Sequence, residues 1–153
     1  MSTGVNLIPE FETSASFMMG LAYKQFRTLS NQALSSKLNI SIEMLGALKV
    51  LSHHGKLMQQ GLADALLRER SATKRLVDNC IKRGLIEAYK NEANKKAKYL
   101  VITDKGETVK NEASVIIADI NEQFFGPLTV EERQVLLNTC RKLIKDDIYL
   151  GGD

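Results

Sequence analysis

The side chains best placed to do chemistry lie between Arg70 and Lys98. Arg70, Ser71, Ala72, Lys74, Arg75 and Asn79 fall in a helical stretch whose opposite side carries Thr73, Leu76, Val77 and Cys80 at spacings of 3, 4 and 7. Arg and Lys can donate to guanine O6 and N7, and Asn can pair bidentately with adenine, so this polar face suits the major groove of double-stranded DNA. Ser71 and the free backbone N–H groups at the helix start suit phosphate. Further on, Lys95, Lys96 and Lys98 sit in a basic loop, residues 94–98, between two strand-like runs, where they would meet a phosphate or a minor-groove wall. This is recognition of a polyanion, not bond-making. The chain has no Gly-rich phosphate loop, no nucleophile beside a base and no paired carboxylates in a plausible cleft, so an enzyme is not expected and no cofactor is implied.

Charge follows the same division. The chain of 153 residues has a net charge of +3, but residues 56–105 hold twelve basic and six acidic side chains, so that segment is +6 and the remainder −3. A basic middle between mildly acidic ends is the asymmetry expected when one module faces phosphate. With 44% hydrophobic and 25% charged residues, the composition is that of a soluble globular protein able to bury a sizeable core. Two cysteines, Cys80 and Cys140, imply no disulfide framework. The N-terminus lacks a basic region followed by an apolar one, and no apolar run reaches membrane-spanning length, so a reducing cytoplasm is the expected location.

The elements that must position these residues are mostly helical. The first ten or so residues read as an arm. A helix follows from Thr13 or Ser14, with Phe17, Met18, Leu21, Ala22, Phe26, Leu29, Ala33 and Leu34 largely at three- and four-residue spacings. A second runs from about Ser41 to His54, with Met44, Leu45, Leu48 and Leu51 inward and Gly55 as its stop. The third covers roughly 59–67 and the fourth, opening on Ser71, reaches Arg83. Residues 85–90 and 98–103, rich in Ile, Tyr, Leu and Val, read as paired strands. Thr103 then caps a long helix to about Phe124, Gly126-Pro127 breaks it, and Thr129 with Glu132 forms a capping box for a last helix ending near Asp147. The fold class expected is mainly α with a small β-hairpin wing. It divides into an arm and first helix (1–40), a winged helix-turn-helix (41–103) and C-terminal helices (104–153).

Five stretches carry a family resemblance. Gln60-Gly61-Leu62-Ala63-Asp64-Ala65-Leu66, Ser71–Asp78 with Lys82-Arg83-Gly84-Leu85-Ile86, and Ala97–Gly106 together resemble the multiple-antibiotic-resistance regulator (MarR) family, as does Leu128-Thr129-Val130-Glu131-Glu132 at the last helix. The resemblance extends over residues 13–147. It implies a homodimeric winged helix-turn-helix regulator, usually a repressor, built by the first and last two helices and gripping a pseudo-palindromic operator. A small, often phenolic or lipophilic ligand relaxes that grip. Two departures matter. Family wings commonly carry Asp-x-Arg at the tip where this chain has Asn94 and Lys96, which predicts a more mobile wing contributing general electrostatic affinity, because an ammonium lacks the guanidinium fork. Cys80 stands where a core Leu is usual.

Other residues invite a role. Tyr23, His53 and His54 are candidates for an effector cavity between the dimer arms and the winged module. Zinc is not expected at His53-His54, since adjacent histidines point to different sides of a helix and no Cys, Asp or Glu lies at ligand spacing. Cys80, on the buried face, is expected to act as a small hydrophobe rather than an oxidant sensor. The competing reading of the whole chain is a winged-helix dimer serving as a protein-interaction adaptor without specific DNA binding.

Overall fold

Short capping signals set most of the element boundaries in the computed structural model, which describes residues 5–146. Ser14 Oγ accepts from Phe17 N at 3.2 Å and opens α2 (Ala15–Leu38) after a single turn, α1 (Pro9–Glu12). Ser41 Oγ accepts from Met44 N at 3.1 Å and opens α3 (Ile42–His54), which Gly55 closes at φ 85°, a conformation that glycine adopts without a Cβ penalty. A two-residue strand, β1 (Leu57–Met58), leads into α4 (Gln59–Leu66) and α5 (Arg70–Lys82). The hairpin strands β2 (Ile86–Asn91) and β3 (Asn94–Ile102) follow, then α6 (Asp104–Phe125) and α7 (Val130–Leu143). At the head of α7 the Thr129–Glu132 capping box is complete in both directions, at 3.1 and 2.9 Å.

The sheet is antiparallel, in the order β1-β3-β2, with Leu57 opposite Leu100 and Ile86 opposite Ile102. Its inner side joins a core centred on α3, where Leu45, Leu48 and Leu51 are buried together with Leu62, Leu76, Val77, Cys80, Leu85 and Leu100. Each fully buried leucine stabilises the fold by about 1.5–3 kcal/mol relative to exposure. Leu34 from α2 and Ala113 and Ile117 from α6 extend that core toward the long helices. A polar triad pins α3 to α6: Ser52 Oγ donates to Glu107 Oε1 at 2.8 Å, and the Lys110 ammonium reaches both Ser52 Oγ (2.8 Å) and Glu107 Oε2 (2.9 Å). That ammonium, with the Ser52 hydroxyl, holds the Glu107 carboxyl below its ordinary range.

Four expectations need correction. The N-terminal arm is not wholly irregular: Pro9 at the first helical position presets α1, and Phe11 stacks on Phe17 with ring centroids 4.3 Å apart. Helix α5 opens at Arg70 rather than Ser71, with Glu69 at the cap position; Thr73 Oγ1 donates back to Glu69 O at 2.8 Å, and Ser71 lies inside the first turn. Residues 94–98 are not a loop, because the ladder pairs Lys90 with Lys98 and Asn91 with Asn94, so the wing tip shrinks to Glu92-Ala93. The register shifts there, so residues 95–97 bulge from the ladder between the Lys90–Lys98 and Asn91–Asn94 pairs. Finally, α7 stops at Leu143, short of Asp147, a position outside the described residues. Along α2 only Ser30 and Leu34 are fully buried, while Phe26 packs on Phe124 and Phe125 of α6; on α7 nothing is buried, so its apolar stripe and part of that on α2 stay exposed.

Close packing at the start of α6 yields a test. A Cβ on Gly106 would stand 2.3 Å from the Leu85 carbonyl oxygen and 2.7 Å from Ile102 Cγ1. Gly106→Ala should therefore destabilise by about 1–3 kcal/mol in urea unfolding. Gly46→Ala, inside α3, meets only Leu66 Cδ2 at 3.6 Å and should stabilise by about 0.5–1 kcal/mol. Equal effects at the two positions would contradict this packing.

Candidate nucleic-acid interface

Helix α5 presents its charge because its apolar side is fully engaged. Thr73, Leu76, Val77 and Cys80 are buried, and Arg70, Ser71, Lys74, Arg75, Asp78 and Asn79 are exposed, while Ala72 is half-buried. Beside it, the sheet carries Lys96 and Lys98 outward on β3. Between helix and hairpin runs an open groove of about 410 Å³. Its basic lining comes from Arg70 and Lys74 on α5 and from Lys96 and Lys98 on β3, and its apolar lining includes Val77, Ile81, Ala88 and Leu100. Gln59 and Gln60, at the N-terminus of α4, complete one wall.

The structure thus brings together four of the residues expected from sequence: Arg70, Lys74, Lys96 and Lys98. Ser71, Arg75 and Asn79 remain exposed on α5 but do not line the groove. Lys95 belongs to β3 by its backbone, and its side chain lies outside the described part of the chain. Lys74 also pairs with Asp78 at 2.9 Å, one helical turn away. This pair is exposed and contributes little to stability, but it places an acceptor among the donors of the reading face. Asp78 was overlooked in the sequence, although Lys and Asp at i and i+4 are the ordinary signal for such a pair. Gln59 and Gln60 gave no signal, since only tertiary packing brings α4 to the groove.

Tyr23, His53 and His54 do not join this site. Tyr23 is 56% exposed on α2. The two imidazoles are exposed at the end of α3 and meet edge-to-face with centroids 5.0 Å apart, closer than opposite sides of a helix would allow. Among the described residues no group of three or more His, Cys, Asp or Glu could hold a metal ion.

Helix α4, a tight turn, the exposed helix α5 and an antiparallel hairpin make a winged helix-turn-helix, flanked by long helices at both ends of the chain. More particularly, it is the fold of MarR-type regulators. The structure superposes on mutant MarR from Escherichia coli complexed with operator DNA with a TM-score of 0.81 at 18% identity, covering 92% of this chain and 100% of that one. It superposes on the PcaV regulator of Streptomyces coelicolor in complex with its natural ligand with a TM-score of 0.80 at 20% identity, covering 91% and 96%. In sequence, 86 residues are 26% identical to the transcriptional regulator HosA of E. coli. That alignment takes in 56% of this chain and 64% of HosA, so the match spans less than two thirds of the relative. No family model matches the sequence.

Cys80 supplies the test for the back of the reading helix. Burial pushes its thiol up to about 11, against a smaller opposing pull from the Arg83 guanidinium. Cys80 should therefore resist alkylation by iodoacetamide at pH 8 in the folded protein and react on unfolding. Because the unfolded thiol ionises near 9 and the folded one near 11, this group's contribution to stability is intact below pH 9 and is lost as pH rises through that window. Rapid labelling of native Cys80, read by mass spectrometry of its peptide, would refute its place in the core.

Proposed function

We propose that this protein is a DNA-binding transcriptional regulator that acts as a homodimer, not an enzyme, and that its place of action is the cytoplasm. The observation that carries the reading is the convergence of Arg70, Lys74, Lys96 and Lys98 on one open groove. A recognition helix whose basic face is held beside a basic hairpin matches the way winged helices straddle a phosphate strand, with the helix in the major groove. The fold shared with an operator-bound MarR structure supports this, as does the sequence similarity to HosA. Dimerisation follows from the uncovered apolar side chains of the terminal helices, among them Phe11, Met19, Val135, Leu136 and Leu143. In such a dimer the two α5 helices meet successive major grooves about 34–36 Å apart on a pseudo-palindrome.

In this reading Lys74 and Arg75 contact bases and phosphates, Arg70, Ser71 and Ala72 line the backbone at the helix start, and Asn79 lies toward the far end of the contact. Lys95, Lys96 and Lys98 add the wing. The protein is a repressor whose grip on DNA is relaxed by a small, phenolic or lipophilic effector, with Tyr23, His53 and His54 retained as effector candidates; that the similarly folded PcaV binds a natural ligand supports a ligand site alone.

Fluorescence anisotropy with the duplex upstream of the protein's own coding region, against a scrambled duplex and across a salt series, tests the proposal. Binding that beats the scramble by at least about a thousandfold is the expected result. Arg75→Ala should cost about 1–3 kcal/mol and relax sequence preference. Each wing Lys→Ala should weaken all duplexes alike and lower the salt slope by roughly one. Absence of salt-dependent binding to any duplex would leave the adaptor reading in its place.

A further inference from the structure

We infer that Asn91 is the positioning residue of the wing, an uncharged brace that holds β3 so that Lys96 and Lys98 face the groove. The inference rests on the DNA-binding reading and deepens it. Asn91 is a polar side chain at only 7% exposure, at the end of a strand where its neighbours from Glu87 to Lys90 are all exposed. Its carboxamide is used at both ends. Oδ1 accepts from Ala93 N at 3.0 Å, which fixes the two-residue tip, and Nδ2 donates toward Met58 Sδ at 3.8 Å, across the sheet on β1. The ladder is irregular at this place, with a register shift between Lys90 and Asn91, so strand pairing alone leaves the direction of the tip undetermined.

The consequence runs through the chain that follows. Asn91 pairs with Asn94 to close the tip, and Asn94 Oδ1 accepts from Lys96 N at 3.2 Å, so two successive asparagine side chains shape the backbone that leads to Lys96 and Lys98. The other end of the brace is Met58, one residue before α4 begins at Gln59. The wing is thereby tied to the foot of the helix-turn-helix, and Met58 itself lines the groove with Lys96 and Lys98. Asn91 carries no charge and is not expected to touch DNA. Its effect on binding must pass through the lysines. Because both bonds are neutral, added salt does not screen the brace as it would an ion pair.

A double-mutant cycle tests this in the full-length protein. The probe is a fluorescein-labelled mixed-sequence duplex of about 30 base pairs, adequate because wing affinity is electrostatic and independent of sequence. Asn91→Ala should weaken binding roughly tenfold at low salt and lower the slope of log K against log salt by about one. In the Lys96→Ala/Lys98→Ala background the same substitution should have no further effect, since the groups it positions are gone. Asn91→Ser, whose hydroxyl can still accept from the turn, should restore part of the loss. If Asn91→Ala fails to fold, Asn91→Ser and the volume-conserving Met58→Leu carry the cycle. An equal loss in both backgrounds, or no loss in either, overturns the inference. Failure of the unmodified protein to bind the duplex at any salt overturns the DNA-binding reading itself, and is visible before any variant is compared.

Discussion

Helix α5, the root of the hairpin and the start of α6 are joined by one set of hydrogen bonds at Thr103–Gly106. Thr103 Oγ1 donates to the Gly84 carbonyl at 2.6 Å and accepts from Gly106 N at 2.9 Å, so one hydroxyl closes the hairpin root and caps α6. Thr103 N donates to Leu85 O at 3.1 Å, and the Lys105 ammonium donates to the Arg83 carbonyl at 2.9 Å. Three carbonyls just past the end of α5 are thus satisfied by the two residues flanking the start of α6. Gly106 permits this, because any side chain there would strike the Leu85 carbonyl. The result is a fixed vertex from which the recognition helix, the wing and the long helix all depart. Tertiary packing then has only to hold three directions that the backbone has already set.

On one side of that vertex, α5 must satisfy two opposing demands. Its inner side fills the core with Leu76, Val77 and Cys80, while the next positions outward are charged. Removing the apolar side would free the helix, and burying the charged side would require desolvating several cations without partners, which costs several kcal/mol per ion. The division is therefore strict, and Cys80 keeps to it: a buried neutral thiol packs as a small hydrophobe. On the basic face of α5, Lys74 pairs with Asp78.

The sequence made legible what is decided within a few residues. Ser14, Ser41, Thr103 and Thr129 cap helices because a hydroxyl meets the N–H three residues on, and each was identifiable from its own neighbourhood. The buried side of α5 follows from 3.6-residue periodicity, and all four of its members are buried as expected. What could not be read depends on partners distant in the chain. The two residues of β1 become a strand only through Leu100 and Tyr99. Lys98 enters the ladder only because Lys90 lies opposite it, and Lys96 sits in the bulge that the register shift leaves. Asn91, which follows the strand-like run 85–90, gains its contact from Met58, thirty-three residues earlier.

Helix α7 exposes the limit of a single protomer. Arg133 anchors it, donating to the Phe125 carbonyl at 3.2 Å and lying 3.5 Å from Glu122, yet none of its residues is buried. Val130, Val135, Leu137 and Leu143 are all more than half exposed. A helix of this length is marginal in water without packing, and its capping box contributes no more than a few kcal/mol. The proposed dimer resolves the imbalance: the same apolar surface that leaves α7 unsupported is what a second copy would cover, together with the stripe along α2. Folding of the terminal helices and spacing of the two α5 helices then become one equilibrium. In that proposed dimer, whatever loosens the covered surface would also change the spacing of the two α5 helices. A ligand acting far from DNA needs no wire through the core for this purpose. It needs only to bind one packing of the terminal helices better than another.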